Sequence, residues 1–244
     1  MANIYFERLE DSLCTSDTQP TASHQVPKPS WWKDMPRYHT IAEELSNQNL
    51  RDFSTVRNCP AISDSMNFGY TLYLPYDIHI DTSSKDIVKF YHKTAMYNDT
   101  NNNATEYVGL TNNNAISNFY VPEGYCKTVI RINLLWGIKT DPDYSIFVTQ
   151  PSHRYDLPLL AISGVIDTDT FPAREAYNFW VKDGFTGTIK AGTPLVQIIP
   201  FKREDFSSHI IENDHYAYVK IINKLTSAFT NGYKKFFWHR KKFD

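Results

Sequence analysis

Short β-rich runs follow one another closely between Asn133 and Arg203, and Pro, Gly, Asp and Ser residues separate them. This spacing leaves no room for the crossover helices that parallel strands need, so it predicts antiparallel sheets in a sandwich, jelly roll or barrel. The strands predicted in this stretch are Asn133–Trp136, Tyr144–Thr149, Leu159–Ile166, Asn178–Val181, Thr188–Lys190 and Leu195–Phe201.

The composition indicates a folded chain that is not secreted. Of the 244 residues, 41% are hydrophobic and 15% are aromatic, and a net charge of −2 gives no general reason to expect nucleic acid or an anionic membrane as partner. The three cysteines, Cys14, Cys59 and Cys126, are widely spaced, which predicts reduced thiols rather than a disulfide framework or a zinc cluster. We find neither a secretory signal nor an apolar run of about 18 residues, so we expect no membrane segment.

The chain divides by its patterns into three parts. Residues 1–54 are predicted to form a short strand, an extended arm and a short helix at Thr40–Asn49, and residues 55–205 form the β domain. Residues 206–244 contain apolar residues at helical spacing over His209–Phe229, which predicts a C-terminal helix, followed by a basic aromatic tail.

Two clusters of aromatic residues are candidates for interaction surfaces. Trp31 and Trp32 lie in a polar arm, where they either cover the core of their own chain or bind a neighbouring subunit. Phe236, Phe237 and Trp238 alternate with cations in the tail, which permits either binding of single-stranded nucleic acid or packing on the domain.

One predicted strand carries a histidine between two carboxylates. His79 alternates with Asp77 and Asp81. We interpret this pattern as a solvated strand face, with a metal site as the alternative, and we predict no metal centre.

Four motifs between Ser63 and Phe201 occur in a recognisable order. They are FGYTL at Phe68–Leu72, QPSHR at Gln150–Arg154, GVIDTDTFP at Gly164–Pro172 and GTPLVQI at Gly192–Ile198. Together they resemble the motifs of trimeric deoxyuridine triphosphatases (dUTPases) and the related dCTP deaminases. The resemblance implies an antiparallel fold of β-clip or jelly-roll type.

The resemblance also implies a set of site residues. Asp167 would be the base that activates water, and Asp169 belongs to the same catalytic motif. The implied ligand-binding residues are Ser152, Arg154, Gln197 and Tyr70, and magnesium is the implied cofactor. For the two aspartates, the alternative is an Asx-type turn at the end of a strand.

The motifs differ from the family pattern at positions that hold the catalytic and ligand-binding residues of the family. Thr71 replaces the aspartate of the first motif, and Thr170 or Phe171 replaces the tyrosine that stacks on deoxyribose. The glycine-rich C-terminal arm that closes over phosphates is also missing. A triphosphate needs clustered N–H donors and cations, and few of them are visible, so we expect a protein without enzymatic activity.

The whole chain, including Trp31–Trp32, Asn58–Pro60 and Gly164–Asp169, also resembles a protein family of bacteria and tailed phages. This resemblance implies no activity, but it implies a location in the virion or the host cytoplasm. We therefore predict a structural, assembly or accessory protein without a cofactor, which binds copies of itself or other phage proteins. The alternatives are a divergent nucleotide hydrolase and a regulator that binds nucleotides or nucleic acid.

Overall fold

Every strand pairing in the described part of this computed structural model is antiparallel. The structure describes residues 2–9, 15–38, 55–83, 88–92, 107–111, 113–174, 176–212, 214–228 and 232–244. Cys14 and the helix predicted at Thr40–Asn49 lie outside these residues.

The strands within the described residues form four sheets. The strands are β1 (Ile4–Arg8), β2 (Thr21–Ala22), β3 (Tyr70–Tyr73), β4 (Ile78–Asp81), β5 (Lys89–His92), β6 (Val108–Leu110), β7 (Tyr125–Ile132), β8 (Trp136–Thr140), β9 (Tyr144–Thr149), β10 (Leu159–Ala161), β11 (Gly164–Ile166), β12 (Tyr177–Lys182), β13 (Thr186–Ile189) and β14 (Pro194–Lys202). Their order is β11-β9-β14-β3-β2 in one sheet, β10-β12-β7-β6 in a second, β13-β4-β5 in a third and β1-β8 in the fourth. The predicted all-β, sandwich-like class with antiparallel sheets is confirmed.

Helices are fewer than strands in the described residues. They are α1 (Ser30–Asp34), α2 (Pro60–Asn67), α3 (Asn113–Ile116), α4 (His215–Ser227) and α5 (Gly232–Phe236), with single 3-10 turns at Ser16–Thr18, Ser23–Gln25 and Val56–Asn58. The predicted C-terminal helix corresponds to α4, which begins where the Asp214 carboxylate accepts a hydrogen bond from the Ala217 N–H at 3.0 Å. Among the described residues, a helix with the length and apolar character to cross a membrane is absent.

The chain forms two compact units by its contacts. The first unit comprises residues 1–23 and 69–203 and contains all the strands named above; the second comprises residues 24–68 and 204–244 and contains α1, α2, α4 and α5. Each unit consists of two separate ranges of the chain. The sequence analysis instead divides the chain into three consecutive parts at residues 54 and 205, and that division stays a prediction.

The apolar core of the first unit follows the alternation of its strands. In β4, for example, Ile78 and Ile80 are fully buried while His79 and Asp81 are half-buried on the other face. The fully buried side chains with the largest volumes are Phe179, Leu72, Leu74, Ile78, Ile80, Ile130, Ile132, Leu134, Ile138, Ile146, Leu159 and Leu195.

The strand predicted at Asn133–Trp136 is wrong. The chain turns there between β7 and β8, since Leu135 has φ = 62° and its N–H donates to the Asn133 side-chain oxygen at 2.8 Å. The run predicted as one strand at Leu159–Ile166 is divided into β10 and β11.

Candidate functional site

The two candidate catalytic aspartates lie in a turn directly after β11. Between them, Thr168 is fully buried and its hydroxyl lies 2.8 Å from the hydroxyl of Thr140 in β8. The Asp167 carbonyl accepts a hydrogen bond from the Thr170 N–H at 3.2 Å, which closes the turn. The buried threonine therefore anchors the turn that carries both carboxylates.

Asp169 is paired with Arg203, the residue after β14. The guanidinium donates to both carboxylate oxygens, with Nη1 2.9 Å from Oδ1 and Nη2 bonded to Oδ2. The Asp143 N–H donates to the same carboxylate at 3.0 Å, and only 8% of the Asp169 side chain is exposed. The hydrogen bonds from Arg203 lower the pKa of Asp169 to about 2, and Asp169 in turn raises the pKa of Arg203.

Asp167 has a different environment, because 60% of its side chain is exposed. Its Oδ1 accepts a hydrogen bond from the Ser145 hydroxyl at 2.6 Å and lies 3.5 Å from Arg203 Nη1. Ser145 is fully buried, and its oxygen accepts a hydrogen bond from Arg203 at 2.9 Å. Of the two carboxylates, Asp167 is thus the one that solvent reaches.

The four predicted ligand-binding residues contact other groups of the protein itself. The Gln197 Oε1 is buried and accepts hydrogen bonds from the Ser152 N–H at 2.8 Å and the Ser152 hydroxyl at 3.0 Å. Arg154 donates twice to the Asp156 carboxylate, at 2.9 and 3.0 Å. Tyr70, in β3, is half-buried and packs edge-on against Phe6 with the ring centroids 5.4 Å apart.

These candidate residues form separate groups within the first unit. Along β9, Ser145 beside Asp167 pairs with Phe201, whereas Thr149 pairs with Gln197. Four residue steps separate these two positions along β9, which corresponds to roughly 13 Å of strand. The structure therefore brings Ser152 and Gln197 together at one end of β9 and the two aspartates together at the other.

The alternating carboxylates around His79 also have partners. Asp77 accepts hydrogen bonds from Lys190 Nζ at 2.8 Å and the Ala191 N–H at 2.9 Å. Asp81 accepts from the Ser83 N–H at 2.9 Å, and the hydrogen bonds from Ser83 lower its pKa to about 2. Nowhere in the described ranges do three His, Cys, Asp or Glu side chains group as metal ligands.

The tryptophans of α1 differ in exposure. Trp32 is buried, while Trp31 is 37% exposed, and their rings meet edge to face at 5.8 Å. Trp32 thus serves the packing of its own chain, and Trp31 presents part of its ring to solvent.

The tail packs on α2 within the second unit. Trp238 Nε1 donates to the Asp64 carboxylate at 2.8 Å, and Lys241 Nζ donates to the same oxygen at 2.7 Å. Lys224 of α4 lies over the rings of Phe236 and Phe237, at 5.5 and 5.3 Å from their centroids. All three predicted aromatic residues of the tail are half-buried.

The segment from residue 206 to residue 221, here called the apolar segment, exposes large side chains to solvent. Phe206 is 89% exposed and Ile211 is 84% exposed, although the segment precedes and enters a regular helix. Its large exposed apolar side chains are Phe206, Ile210, Ile211, Tyr216, Tyr218, Val219 and Ile221.

Sequence reasoning missed three of these features. It predicted the helix of the apolar segment but not its exposure, and it named neither Arg203 nor Asp64 as a partner. Arg203 follows the last strand, whereas Asp169 lies within the third motif. Only the order of the strands in the sheet could therefore have indicated that the two residues meet. No protein-family model matches the chain, and the comparison with curated proteins gives no match.

Proposed function

We propose that this chain is a non-enzymatic phage-type assembly or accessory protein, and that it binds a second copy of itself through the apolar segment. The observation that carries the proposal is the exposure of seven large apolar side chains between residues 206 and 221. So many exposed large apolar side chains on one segment are typical of a surface that a partner covers.

The size of this surface suits a dimer. A buried aromatic side chain covers about 150–250 Å². At their exposed fractions, Phe206, Tyr216 and Tyr218 offer roughly 450 Å² on that scale. The four aliphatic side chains add roughly 250 Å². Summed over all sides of the segment, the exposed apolar area is close to the ~800 Å² that each partner buries in a standard interface.

The charges around the segment are self-complementary, which favours a second copy over an unrelated partner. Residues 204–214 contain four acidic residues and neither Lys nor Arg, whereas residues 215–235 contain four lysines and no acidic residue. A two-fold axis that pairs the segments in opposite directions places each acidic half beside the basic half of its partner. A parallel arrangement would place like charges together.

The state of the candidate catalytic groups supports the absence of enzymatic activity. Asp169 is bonded to Arg203, Arg154 to Asp156, and Ser152 to Gln197. A triphosphate bound by these groups would first have to break hydrogen bonds that they already make.

Association is measured by sedimentation velocity over a range of protein concentrations. We expect the protein to sediment as a dimer or larger species, and Ile210→Asp with Ile211→Asp to give the 28.3 kDa monomer. The matched control is Tyr120→Asp with Tyr155→Asp, which places the same charges at other strongly exposed aromatic positions and should leave the association unchanged. A monomeric wild-type protein at tens of micromolar would refute self-association.

The second candidate function is a divergent nucleotide hydrolase of dUTPase or dCTP deaminase type. One observation favours it, which is the solvent-exposed carboxylate of Asp167. We expect no release of pyrophosphate or ammonia from deoxynucleoside triphosphates with magnesium present. Turnover that Asp167→Asn abolishes would replace the non-enzymatic proposal by this one.

A further inference from the structure

Two cavities flank Trp238 and Asp64 in the second unit, and together they are here called the basic cleft. Their volumes are about 370 and 160 Å³, and Trp238 and Asp64 line both. The larger volume falls within the range of about 300–1,000 Å³ that is typical of ligand sites. The basic cleft is thus large enough for a nucleotide-sized group and continues on the other side of Trp238.

The lining of the basic cleft is strongly positive. Within the described ranges, the acidic residues that line it are Asp64 and Asp244, and Asp64 is already bonded to Lys241. The lining cations are Arg37, Arg57, Lys234, Arg240, Lys241 and Lys242. Among the described lining residues, three cations face each of the two cavities, and two residues with acidic side chains accompany them. Such a surplus of cations attracts polyanions, and a concave surface concentrates the field.

Three of these six cations make no ion pair, side-chain hydrogen bond or ring contact with the described residues. Arg57 donates to the carbonyls of Lys33 and Met35. By contrast, Arg37, Arg240 and Lys242 make neither an ion pair nor a side-chain hydrogen bond with the part of the chain that the structure describes. An anion would therefore meet these three cations without displacing a partner that belongs to the described residues.

Aromatic rings stand beside these cations. The Trp238 indole is fixed by its hydrogen bond to Asp64, and the ammonium groups of Lys234 and Lys241 lie 5.9 and 5.6 Å from its centroid. Phe68 and Phe243, which also line the larger cavity, meet edge to face at 4.8 Å. Cations that neutralise phosphates next to rings that contact bases are the combination that single-stranded nucleic acid requires.

We propose that the basic cleft binds single-stranded nucleic acid. Arg240, Lys242 and Arg37 contact phosphates on the two sides of Trp238, and the rings contact bases. A duplex keeps its bases stacked inside, so the rings would gain nothing from it. An acidic peptide would use the cations but leave the rings without a partner.

The test is fluorescence anisotropy of the full chain with a labelled oligo(dT) of about 20 nucleotides, long enough to pass through a site of this kind. Arg240→Gln with Lys242→Gln should weaken binding about tenfold. It should also make the plot of log K against log salt shallower by about 1.4, since each phosphate contact on a single strand contributes about 0.7. The matched control, Lys127→Gln with Lys139→Gln, removes two charges from exposed positions in strands β7 and β8 and should bind as the wild type does.

Three results would overturn the proposal. They are the absence of binding at about 50 mM salt, an equal loss of affinity in both double variants, and binding of a duplex as tight as that of oligo(dT). Arg37→Gln, on the other side of Trp238, provides an independent second variant if the first one unfolds, which circular dichroism reveals. The basic cleft and the apolar segment share no residue, so the two proposals can fail separately.

Discussion

The guanidinium of Arg203 donates two hydrogen bonds to the carboxylate of Asp169, although the two residues are 34 positions apart in the chain. Arg203 follows β14 and Asp169 lies in the turn after β11, and in the sheet these two strands lie on either side of β9. The pair therefore fastens the turn of one strand to the end of another across the strand between them. A guanidinium and a carboxylate joined by two parallel hydrogen bonds form the strongest common type of ion pair.

This pairing makes the stability of the protein depend on pH in the acidic range. The pKa of Asp169 is lowered to about 2 in the folded protein, while an unfolded aspartate titrates near 3.9. The unfolded chain therefore binds the proton first as the pH falls, so the contribution of Asp169 is complete above about pH 4 and is lost between about pH 4 and 2. We expect Asp169→Asn to lower the thermal midpoint at pH 7, and the difference from wild type to shrink as the pH falls to about 2.

Arg203→Gln provides the control for this prediction. It removes the same interaction from the other side, so Asp169→Asn should have a much smaller effect in that background than in the wild type. An undiminished effect, or a difference from wild type that is constant between pH 7 and 2, would contradict the prediction. Thermal melts of the four proteins followed by circular dichroism measure both quantities.

Gly69 holds β3 against β14 at a distance that no other residue allows. Its φ is +70°, and a Cβ atom at this position would lie 2.0 Å from the Ile198 carbonyl oxygen. The left-handed conformation alone costs about 1–2 kcal/mol for a residue with a side chain, and the clash adds to it. We expect Gly69→Ala to lower the free energy of unfolding by at least about 2 kcal/mol in urea titrations.

Gly164 is the matched control, since it begins β11, has no positive φ and has open space around its Cβ position. Gly164→Ala should leave the urea midpoint close to that of wild type. Equal effects of the two substitutions would show that the close approach at Gly69 does not limit stability.

The sequence predicts well those elements whose signal is local. β9 was expected at Tyr144–Thr149 and lies there, because a short run of β-branched and aromatic residues stands between turn-forming residues on both sides. The turn at Leu135 was not predictable in this way, since Leu carries no preference for positive φ and the conformation depends on a hydrogen bond to Asn133.

The candidate site was less predictable than the fold because it depends on contacts distant in sequence. Ser152 and Gln197 were both named as ligand contacts, and they bind one another because β9 and β14 are neighbours in the sheet. Helical spacing of apolar residues identified α4. The same spacing is expected whether the apolar face of a helix packs on its own chain or stays exposed for a partner. Only the packed structure distinguishes the two.

Two buried tyrosines should respond in opposite ways to loss of the hydroxyl. The Tyr177 hydroxyl is buried and has no hydrogen-bond partner among the described residues, and burial raises its pKa. The Tyr76 hydroxyl lies 2.6 Å from the Tyr107 carbonyl and 3.0 Å from the Asn133 carbonyl. We expect Tyr177→Phe to raise the free energy of unfolding by about 1 kcal/mol and Tyr76→Phe to lower it by about 1–2 kcal/mol.

Urea unfolding of the two variants beside the wild type checks this pair, and each variant serves as the other's control for removing one oxygen. A loss of stability in Tyr177→Phe similar to that in Tyr76→Phe would show that the Tyr177 hydroxyl has a partner after all, and the prediction would be wrong.

Substitution of Gln197 distinguishes a structural role of its side chain from a ligand-binding role. Its side-chain oxygen accepts two hydrogen bonds from Ser152, one of them from the backbone. Gln197→Met keeps the volume but leaves that N–H without its acceptor, so we expect a loss of about 2–3 kcal/mol in the free energy of unfolding, whereas Ser152→Ala removes only the hydroxyl and should cost about 1 kcal/mol. If Gln197 served instead to hold a nucleotide, Gln197→Met would leave unfolding in urea nearly unchanged and abolish the rise in thermal midpoint that a bound deoxynucleotide causes.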